Sequence, residues 1–395
     1  MDVVFLGDKE ISTYDYDNPF LQDFIRKYNV SFVNVGEIVF EGVPTGTYGD
    51  PRPGTSLEIK SVNELTVFLR KLDKSSTVIV VRNPRFEARQ GSEVLFRAIS
   101  ESSIPYVLTD LANSFSPRQD FYWIKSCLGR FGRKTPLGYR NRRYWFWNQI
   151  TRPTFVLSAS RMIEDQLKIR GVRSRFVRAH SRDYESFLVD RRRGAVLGER
   201  LRTRDHRRSA VFIDQGRAGD GDDHKYLKDL RYPAYGDYYG EVGIFMERIR
   251  KLANVDEIVV ALHPSNFRDP EQISLSMAVP NCRVVKGRTA AEIANADIVV
   301  TEASSATSIA VLYEKLLCFF LAKPEYTHEI LLKGHHNYAA LLGRRLNFVD
   351  DEQIEFGFDS SKSRKFVRRY VKEPDTKDAS IYRILDLELE RVFSG

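Results

Sequence analysis

Short apolar runs rich in β-branched residues alternate along the chain with segments whose apolar residues recur at helical spacing. In the second half the apolar runs are Glu257–Leu262, Cys282–Val285, Asp297–Thr301 and Leu316–Leu321. Strands that alternate with helices at this spacing form βαβ units, and such units build parallel sheets. The pattern therefore predicts an α/β fold.

The first half repeats the alternation. Strands are expected over Asp2–Gly7, Thr77–Val81, Ile104–Leu108 and Thr154–Leu157, with helical spacing between them. A chain of 395 residues is long enough for two such domains. We place an N-terminal α/β domain at 1–180, a linker at 181–208, a second α/β domain at 209–360 and C-terminal helices at 361–395.

An insertion at 113–152 breaks the alternation with a mixture of Arg, Phe, Trp and Tyr. Aromatic residues interleaved with arginines can stack on nucleic-acid bases. They can equally stack on sugar rings, lie at a membrane interface, or form a small aromatic core under a long loop. We expect this segment to belong to the side of the protein that receives an acceptor.

The linker is strongly basic, with eight arginines against two acidic residues over Arg191–Arg208. Such a run is a solvated connection or a polybasic patch that faces anionic lipid. The whole chain has a formal net charge of +8. This charge suits nucleic acid, anionic lipid or an acidic glycan without choosing among them.

Composition otherwise indicates a cytoplasmic globular protein. No apolar run approaches the ~20 residues that span a bilayer, and the first residues do not have the pattern of a secretory signal. Cys127, Cys282 and Cys318 are too scattered for a disulfide framework or a zinc site. We expect a cytoplasmic location, with contact at the inner face of the inner membrane as a further expectation.

Two polar clusters follow strands of the second half. His263–Asn266 follows the predicted strand Glu257–Leu262, and Thr301–Ser305 directly precedes an apolar helix. Open α/β sheets bind ligands at the carboxyl ends of their strands, and a helix N-terminus favours an anion. We expect a nucleotide-phosphate site here, although no glycine-rich fingerprint accompanies it. Each cluster alone is also typical of a structural histidine or of a serine N-cap.

His263-Pro264 and Ser304-Ser305 together resemble the HP and SS motifs of bacterial sialyltransferases and Kdo transferases. The resemblance covers roughly 209–323. It implies a GT-B-like fold with two Rossmann-like domains facing a cleft, a donor site in the C-terminal domain and an acceptor site in the N-terminal one. It further implies transfer of a CMP-activated 2-keto sugar acid of the Kdo or sialic-acid type to a lipopolysaccharide, capsule or other surface-glycan acceptor. No metal and no further cofactor are then expected.

The resemblance also implies roles for individual residues. His263 would stabilise the leaving phosphate or donate a proton to it. Donor contacts are expected from His263, Pro264, Thr301, Ser304 and Ser305, with Arg217 and Arg268 as candidates for a donor carboxylate.

A carboxylate must also deprotonate the acceptor or attack the anomeric carbon. Asp214, which follows a strand, is the first candidate. The alternatives are Asp110, Asp222, Asp223 and Asp237.

Two other functions compete with this hypothesis. The first keeps the fold but uses a UDP- or GDP-sugar, either in a transferase or in a nucleotide-sugar 2-epimerase. The second is a nucleic-acid-binding protein that uses 113–152 and the basic linker, with strongly salt-dependent binding. It leaves both polar clusters unexplained, so the expected partners are a nucleotide-sugar donor, a glycan or lipid-linked glycan acceptor and anionic membrane, without nucleic acid.

Overall fold

The computed structural model describes residues 1–8, 10–11, 13–39, 56–82, 90–111, 152–169, 172–197, 208–216, 233–263, 270–327 and 329–393. These residues fall into two compact units. The second unit contains Ser186–Val371, and the first contains the described residues before Ser186 together with the segment from Lys372 onward. Within the described residues, the chain therefore leaves the first unit once and returns to it.

The first unit is built on a seven-stranded parallel sheet. Its strands are β1 (Asp2–Gly7), β2 (Asn29–Asn34), β3 (Ser56–Glu58), β4 (Thr77–Arg82), β5 (Tyr106–Asp110), β6 (Phe155–Ser158) and β7 (Arg175–Arg178). Their order is β3-β2-β1-β4-β5-β6-β7, so the winding reverses between β1 and β4. This order is that of a doubly wound Rossmann-like sheet.

Helices lie beside this sheet. They are α1 (Thr13–Tyr16), α2 (Pro19–Lys27), α3 (Gly36–Val39), α4 (Val62–Lys71), α5 (Gln90–Ser102) and α6 (Arg161–Ile169). Helix α2 begins where the sequence favours it, because the Asn18 side chain accepts a hydrogen bond from the Phe20 N–H and Pro19 occupies the first turn. Helix α7 (Arg182–Leu197) follows β7 and carries the chain into the second unit.

The second unit is built on a six-stranded parallel sheet. Its strands are β8 (Ser209–Ile213), β9 (Glu257–Leu262), β10 (Cys282–Lys286), β11 (Ile298–Thr301), β12 (Leu316–Phe320) and β13 (Leu346–Asn347). Their order is β10-β9-β8-β11-β12-β13, and the winding reverses between β8 and β11. This is a second Rossmann-like sheet.

The helices of the second unit and the C-terminal helix complete the fold. They are α8 (Tyr235–Ala253), α9 (Pro270–Met277), α10 (Thr289–Asn295), α11 (Thr307–Leu312), α12 (Glu329–Leu341), α13 (Ser360–Phe366) and α14 (Ile381–Phe393). Helix α8 packs on the sheet, where the ring of Phe245 stacks on that of Phe320 with centroids 3.8 Å apart.

The C-terminal helix α14 belongs to the first unit. Its buried Ile384 and Leu389 share a core with Phe5 of β1 and Phe24 of α2. Lys27 of α2 donates a hydrogen bond to the Asp386 carboxylate of α14 at 2.6 Å, and the Tyr28 hydroxyl donates to the same oxygen. One of the core layers of the first unit is therefore supplied by the last part of the chain.

The predicted α/β class with two Rossmann-like sheets and a C-terminal helix is confirmed. Within the segment 181–208, predicted as a linker, Arg182–Leu197 form a helix whose Tyr184, Phe187 and Val189 are buried, and the two units divide at Glu185/Ser186. The predicted C-terminal helices at 361–395 are divided, since α13 lies in the second unit and α14 in the first. The insertion 113–152 lies almost wholly outside the described residues.

Candidate functional site

Polar side chains collect at the carboxyl edge of the second sheet, where its strand order reverses. Asp214 directly follows β8, His263 directly follows β9, and Thr301 ends β11. Strands β9, β8 and β11 are neighbours in the sheet, so these three chain positions lie side by side. In doubly wound sheets the reversal opens a crevice in which ligands bind.

The Asp214 carboxylate connects two of these strand ends. Its Oδ2 atom accepts from the backbone N–H of His263 at 3.1 Å, and its Oδ1 atom accepts from the N–H of Gly216 at 3.0 Å. The hydroxyl of Tyr239, on α8, is a further hydrogen-bond partner. Asp214 is only 1% exposed, so these bonds compensate the burial of its charge.

Gly216 lies against the imidazole of His263. Its φ is +65°, a backbone conformation that glycine adopts without strain. A Cβ atom at this position would lie 3.4 Å from both Cβ and Nδ1 of His263. The glycine therefore lets the loop after β8 pack closely against the histidine side chain.

A second buried carboxylate, Glu302, follows β11. It accepts a hydrogen bond from the hydroxyl of Tyr238 at 3.1 Å, and both side chains are fully buried. Adjacent tyrosines of α8 thus bind the carboxylates that follow the two central strands. Burial, followed by the negative charge of Asp214, raises the pKa of Tyr239 far above its usual range, so this phenol remains a hydrogen-bond donor.

The serine pair lies in the turn that leads into α11. The Ser304 Oγ accepts from the Ala306 N–H at 3.3 Å, and the Ser304 carbonyl accepts from the Tyr338 hydroxyl at 3.1 Å. Ser305 is exposed at the same turn. Thr301 is buried, and its hydroxyl lies 3.3 Å from that of Thr307. These contacts shape the turn and leave Ser305 on its surface.

Of the predicted site residues, the structure brings Asp214, His263, Thr301, Ser304 and Ser305 to one sheet edge. Pro264, Arg217, Arg268, Asp222 and Asp223 lie outside the described residues. Asp237 is exposed in the first turn of α8, and Asp110 ends β5 in the first unit, where it is half-buried.

The structure favours a different role for Asp214 from the predicted one. A carboxylate that is 1% exposed and already accepts two backbone hydrogen bonds is poorly placed to take a proton from an incoming hydroxyl. Its hydrogen bonds connect the loop after β8 to the backbone of His263. The identity of the base stays a prediction, with Asp110, Asp222, Asp223 and Asp237 as the alternatives to Asp214.

Sequence reasoning missed the roles of Glu302, Tyr238, Tyr239 and Gly216. Glu302 was within the polar cluster after β11, and its position directly after a buried strand was the available signal. The tyrosines carried no comparable signal, because each finds its partner far away in the sequence.

The described residues contain no group of three or more His, Cys, Asp or Glu side chains arranged to hold a metal ion. Cys282 and Cys318 are free thiols. In the ranges that the structure describes, no helix is both long and apolar enough to cross a bilayer.

Two doubly wound parallel sheets in one chain, with a returning C-terminal helix, define an α/β protein of GT-B-like fold. No protein-family model and no curated protein matches the sequence. Among solved structures, the chain is similar to a UDP-GlcNAc 2-epimerase from Methanocaldococcus jannaschii, at 12% identity and a TM-score of 0.49, over 98% of this chain and 99% of that one.

The chain is also similar to the spinosyn forosaminyltransferase SpnP, at 13% identity and a TM-score of 0.45, over the full length of both chains. MurG from Acinetobacter baumannii matches at 8% identity and a TM-score of 0.44, over 98% of each chain. At these identities and TM-scores the likeness carries no activity across.

Proposed function

We propose that the chain is a glycosyltransferase that binds a nucleotide-sugar donor at the carboxyl edge of β8, β9 and β11. The observation that carries the proposal is the joining of His263 to the strand end of β8 through the buried carboxylate of Asp214. A half-buried imidazole held at the reversal point of a doubly wound sheet is placed where phosphates bind in such folds.

In the proposed reaction the bond between the anomeric carbon and the phosphate oxygen of the donor breaks, and an acceptor hydroxyl forms the new glycosidic bond. His263 stabilises the charge that develops on the leaving phosphate. Ser305, Ser304 and the backbone of their turn contribute hydrogen bonds to the same group. The acceptor proton passes to a carboxylate other than Asp214, with Asp110 and Asp237 as candidates.

A second part of the proposal concerns which nucleotide sugar serves as the donor. The His263-Pro264 and Ser304-Ser305 pairs resemble the motifs of transferases that use CMP-activated 2-keto sugar acids. A UDP- or GDP-sugar is the alternative, either in a transferase or in a 2-epimerase. The test therefore compares nucleotides directly.

The first test is the thermal stability of the protein with CMP, UDP and GDP in parallel. A ligand that binds only the folded protein, at about 100 times its Kd, adds about 2.7 kcal/mol and raises Tm by several degrees. We expect a rise with CMP that is lost in His263→Ala and in the Ser304/Ser305 double alanine variant. A rise with UDP or GDP instead selects the alternative donor, and no rise with any nucleotide contradicts the site.

The chain offers matched controls. His336 is an exposed histidine on α12, and Ser360 and Ser361 are an exposed serine pair at the start of α13. Alanine at these positions should leave the nucleotide-dependent rise in Tm unchanged. Loss of the rise in the control variants would show that the effect is not specific to the proposed site.

For the acceptor we propose a surface glycan or lipid-linked glycan, reached in the cytoplasm at an anionic membrane. The support is the net charge of +8 and the run of arginines at 191–208. Sedimentation with vesicles that contain about 30% anionic lipid should pull down the protein at low salt and release it at high salt. Equal binding to neutral vesicles would contradict this part of the proposal.

A further inference from the structure

We infer that Asp214 and Tyr239 are a positioning pair that fixes His263 at the carboxyl edge of the second sheet. The role of this pair in catalysis rests on the proposed function. The geometric part of the inference concerns the ligand-free protein and can be tested without any nucleotide.

The first step of the argument is the distribution of the Asp214 hydrogen bonds. One oxygen accepts from the first residue after β9 and the other from the loop after β8. The two loops are far apart in the sequence, and the carboxylate ties them together at the sheet edge. His263 therefore begins its loop from a backbone position that Asp214 determines.

The second step is the place of Tyr239. Its ring is fully buried and packs against two other aromatic rings of α8, with centroid distances of 4.7 Å to Tyr235 and 5.0 Å to Tyr238. This packing restricts the ring to one orientation, in which the hydroxyl meets the Asp214 carboxylate. The Tyr239 hydroxyl thus orients the Asp214 carboxylate, as hydrogen-bond partners orient the ligands in metal sites.

The third step is the electrostatic consequence for His263. The Asp214 carboxylate accepts from the backbone N–H of His263 at 3.1 Å, so its charge lies close enough to the same residue's imidazole to favour the protonated form, which is the form that stabilises a phosphate. The Tyr239 hydroxyl withdraws part of the carboxylate charge through its hydrogen bond. Loss of the carboxylate and loss of the phenol should therefore move the His263 titration in opposite directions.

The experiment follows the histidine ring resonances by NMR from pH 5 to 9. The chain has seven histidines, and the His263 signal is assigned by its absence in His263→Gln. We expect Asp214→Asn to lower the titration midpoint of His263 by about one pH unit. We expect Tyr239→Phe, which keeps the packed ring, to raise the midpoint by a few tenths of a pH unit.

The matched control is Tyr238→Phe. It removes the neighbouring hydroxyl from the same helix, but that hydroxyl binds Glu302. The His263 midpoint should stay within about 0.1 pH unit of the parent protein, since Asp214 keeps its partners. A shift as large as that of Tyr239→Phe would overturn the assignment of Tyr239.

A purely structural role for the pair predicts a different result. Asp214→Asn and Tyr239→Phe would then lower the unfolding temperature while the His263 titration stayed that of the parent protein, and this result would overturn the inference. If Asp214→Asn does not fold, the Tyr239→Phe and Tyr238→Phe comparison decides alone. Shifted midpoints without any nucleotide-dependent rise in Tm would retain the positioning pair and reject the proposed donor site.

Discussion

Gly216 and Gly287 share a positive φ, but only Gly216 lies near His263. Alanine at the two positions therefore distinguishes backbone strain from an effect on the histidine. Gly216 has φ +65° and lies against the imidazole, whereas Gly287, after β10, has φ +72° and no atom within 4 Å of an added Cβ. Gly216→Ala and Gly287→Ala should each lower the free energy of unfolding by about 1–2 kcal/mol, because L residues are strained at positive φ. Urea unfolding measures both changes.

The two variants should differ in nucleotide binding. In Gly216→Ala the added methyl group lies 3.4 Å from Cβ and Nδ1 of His263, in direct contact with the side chain, and so narrows the space open to the imidazole. We expect the nucleotide-dependent rise in Tm to shrink in Gly216→Ala and to persist in Gly287→Ala. Equal rises in both variants would show that the loop after β8 does not act on the histidine.

At this scale the sequence predicted part of the site. Asp214, His263 and the serine pair were found because each directly follows or precedes a recognisable element. Tyr239 and Tyr238 were not found, because their partners come from strand ends 25 and 64 positions away, and only the fold brings them together. The burial of Asp214, which changes its role, was equally invisible.

Two of the three glycines of helix α8 have opposite environments. Gly236 is exposed in the first turn, and an added Cβ there meets nothing within 4 Å. Gly243 faces α9 so closely that an added Cβ would lie 2.1 Å from the carbonyl oxygen of Met277. The close crossing of α8 and α9 therefore requires a residue without a side chain at one position only.

Alanine substitution should accordingly stabilise one site and destabilise the other. Gly236→Ala should raise the free energy of unfolding by about 0.5–1 kcal/mol, because alanine is the better helix former. Gly243→Ala should lower it by about 1–3 kcal/mol, because the helices must separate. Urea unfolding of the two variants checks the signs, and a stabilised Gly243→Ala would contradict the described crossing.

Elements buried on both faces were the easiest to predict. The bounds Asp2–Gly7 and Glu257–Leu262 agree with the sequence, because buried parallel strands appear as continuous apolar runs. The two-residue strand β13 and the short helix α3 were missed, since neither is long enough to show a period. Helix α7 was missed because its arginines obscured the buried residues of its first half.

At the scale of the whole molecule, a buried histidine and a buried glutamate fasten the C-terminal segment to the first unit. His180 Nε2 donates to the Ala379 carbonyl at 2.8 Å, and Glu185 Oε2 accepts from the Ile381 N–H at 2.9 Å. Asn18 donates to the other Glu185 oxygen. The returning segment is thus held by polar contacts as well as by its apolar helix.

The buried side chains of His180 and Glu185 predict a particular pH dependence of stability. Burial lowers the pKa of His180 from 6.5, with Lys372 opposing and Asp378 favouring its charge, and burial raises the pKa of Glu185 from 4.5 to about 7. The stability that Glu185 contributes is present below pH 4.5 and is lost as the pH rises to about 7, because only the folded state then keeps the proton. The stability that His180 contributes is present above pH 6.5 and is lost as the pH falls below 6.5, because the unfolded histidine then binds a proton that the folded one does not.

Glu185→Gln removes one side of this balance. Between pH 4.5 and about 7 the stability of the variant, relative to the parent protein, should rise by up to about 1.4 kcal/mol per pH unit, because the variant lacks the stability that Glu185 loses over this range while His180 is common to both proteins. Urea unfolding at several pH values measures the slope, with Glu101→Gln on the exposed surface of α5 as the control. Identical pH profiles for parent and variant would contradict the buried pair.

The return of α14 to the first unit has a consequence for the protein during its synthesis. While the ribosome elongates the chain, the first unit lacks the core layer that contains Ile384 and Leu389. The second unit, complete at Val371, can close earlier, although domains usually fold in the order in which they are made. The nascent first unit therefore keeps part of an apolar sheet face uncovered until α14 emerges, because α2 covers only the rest of that face.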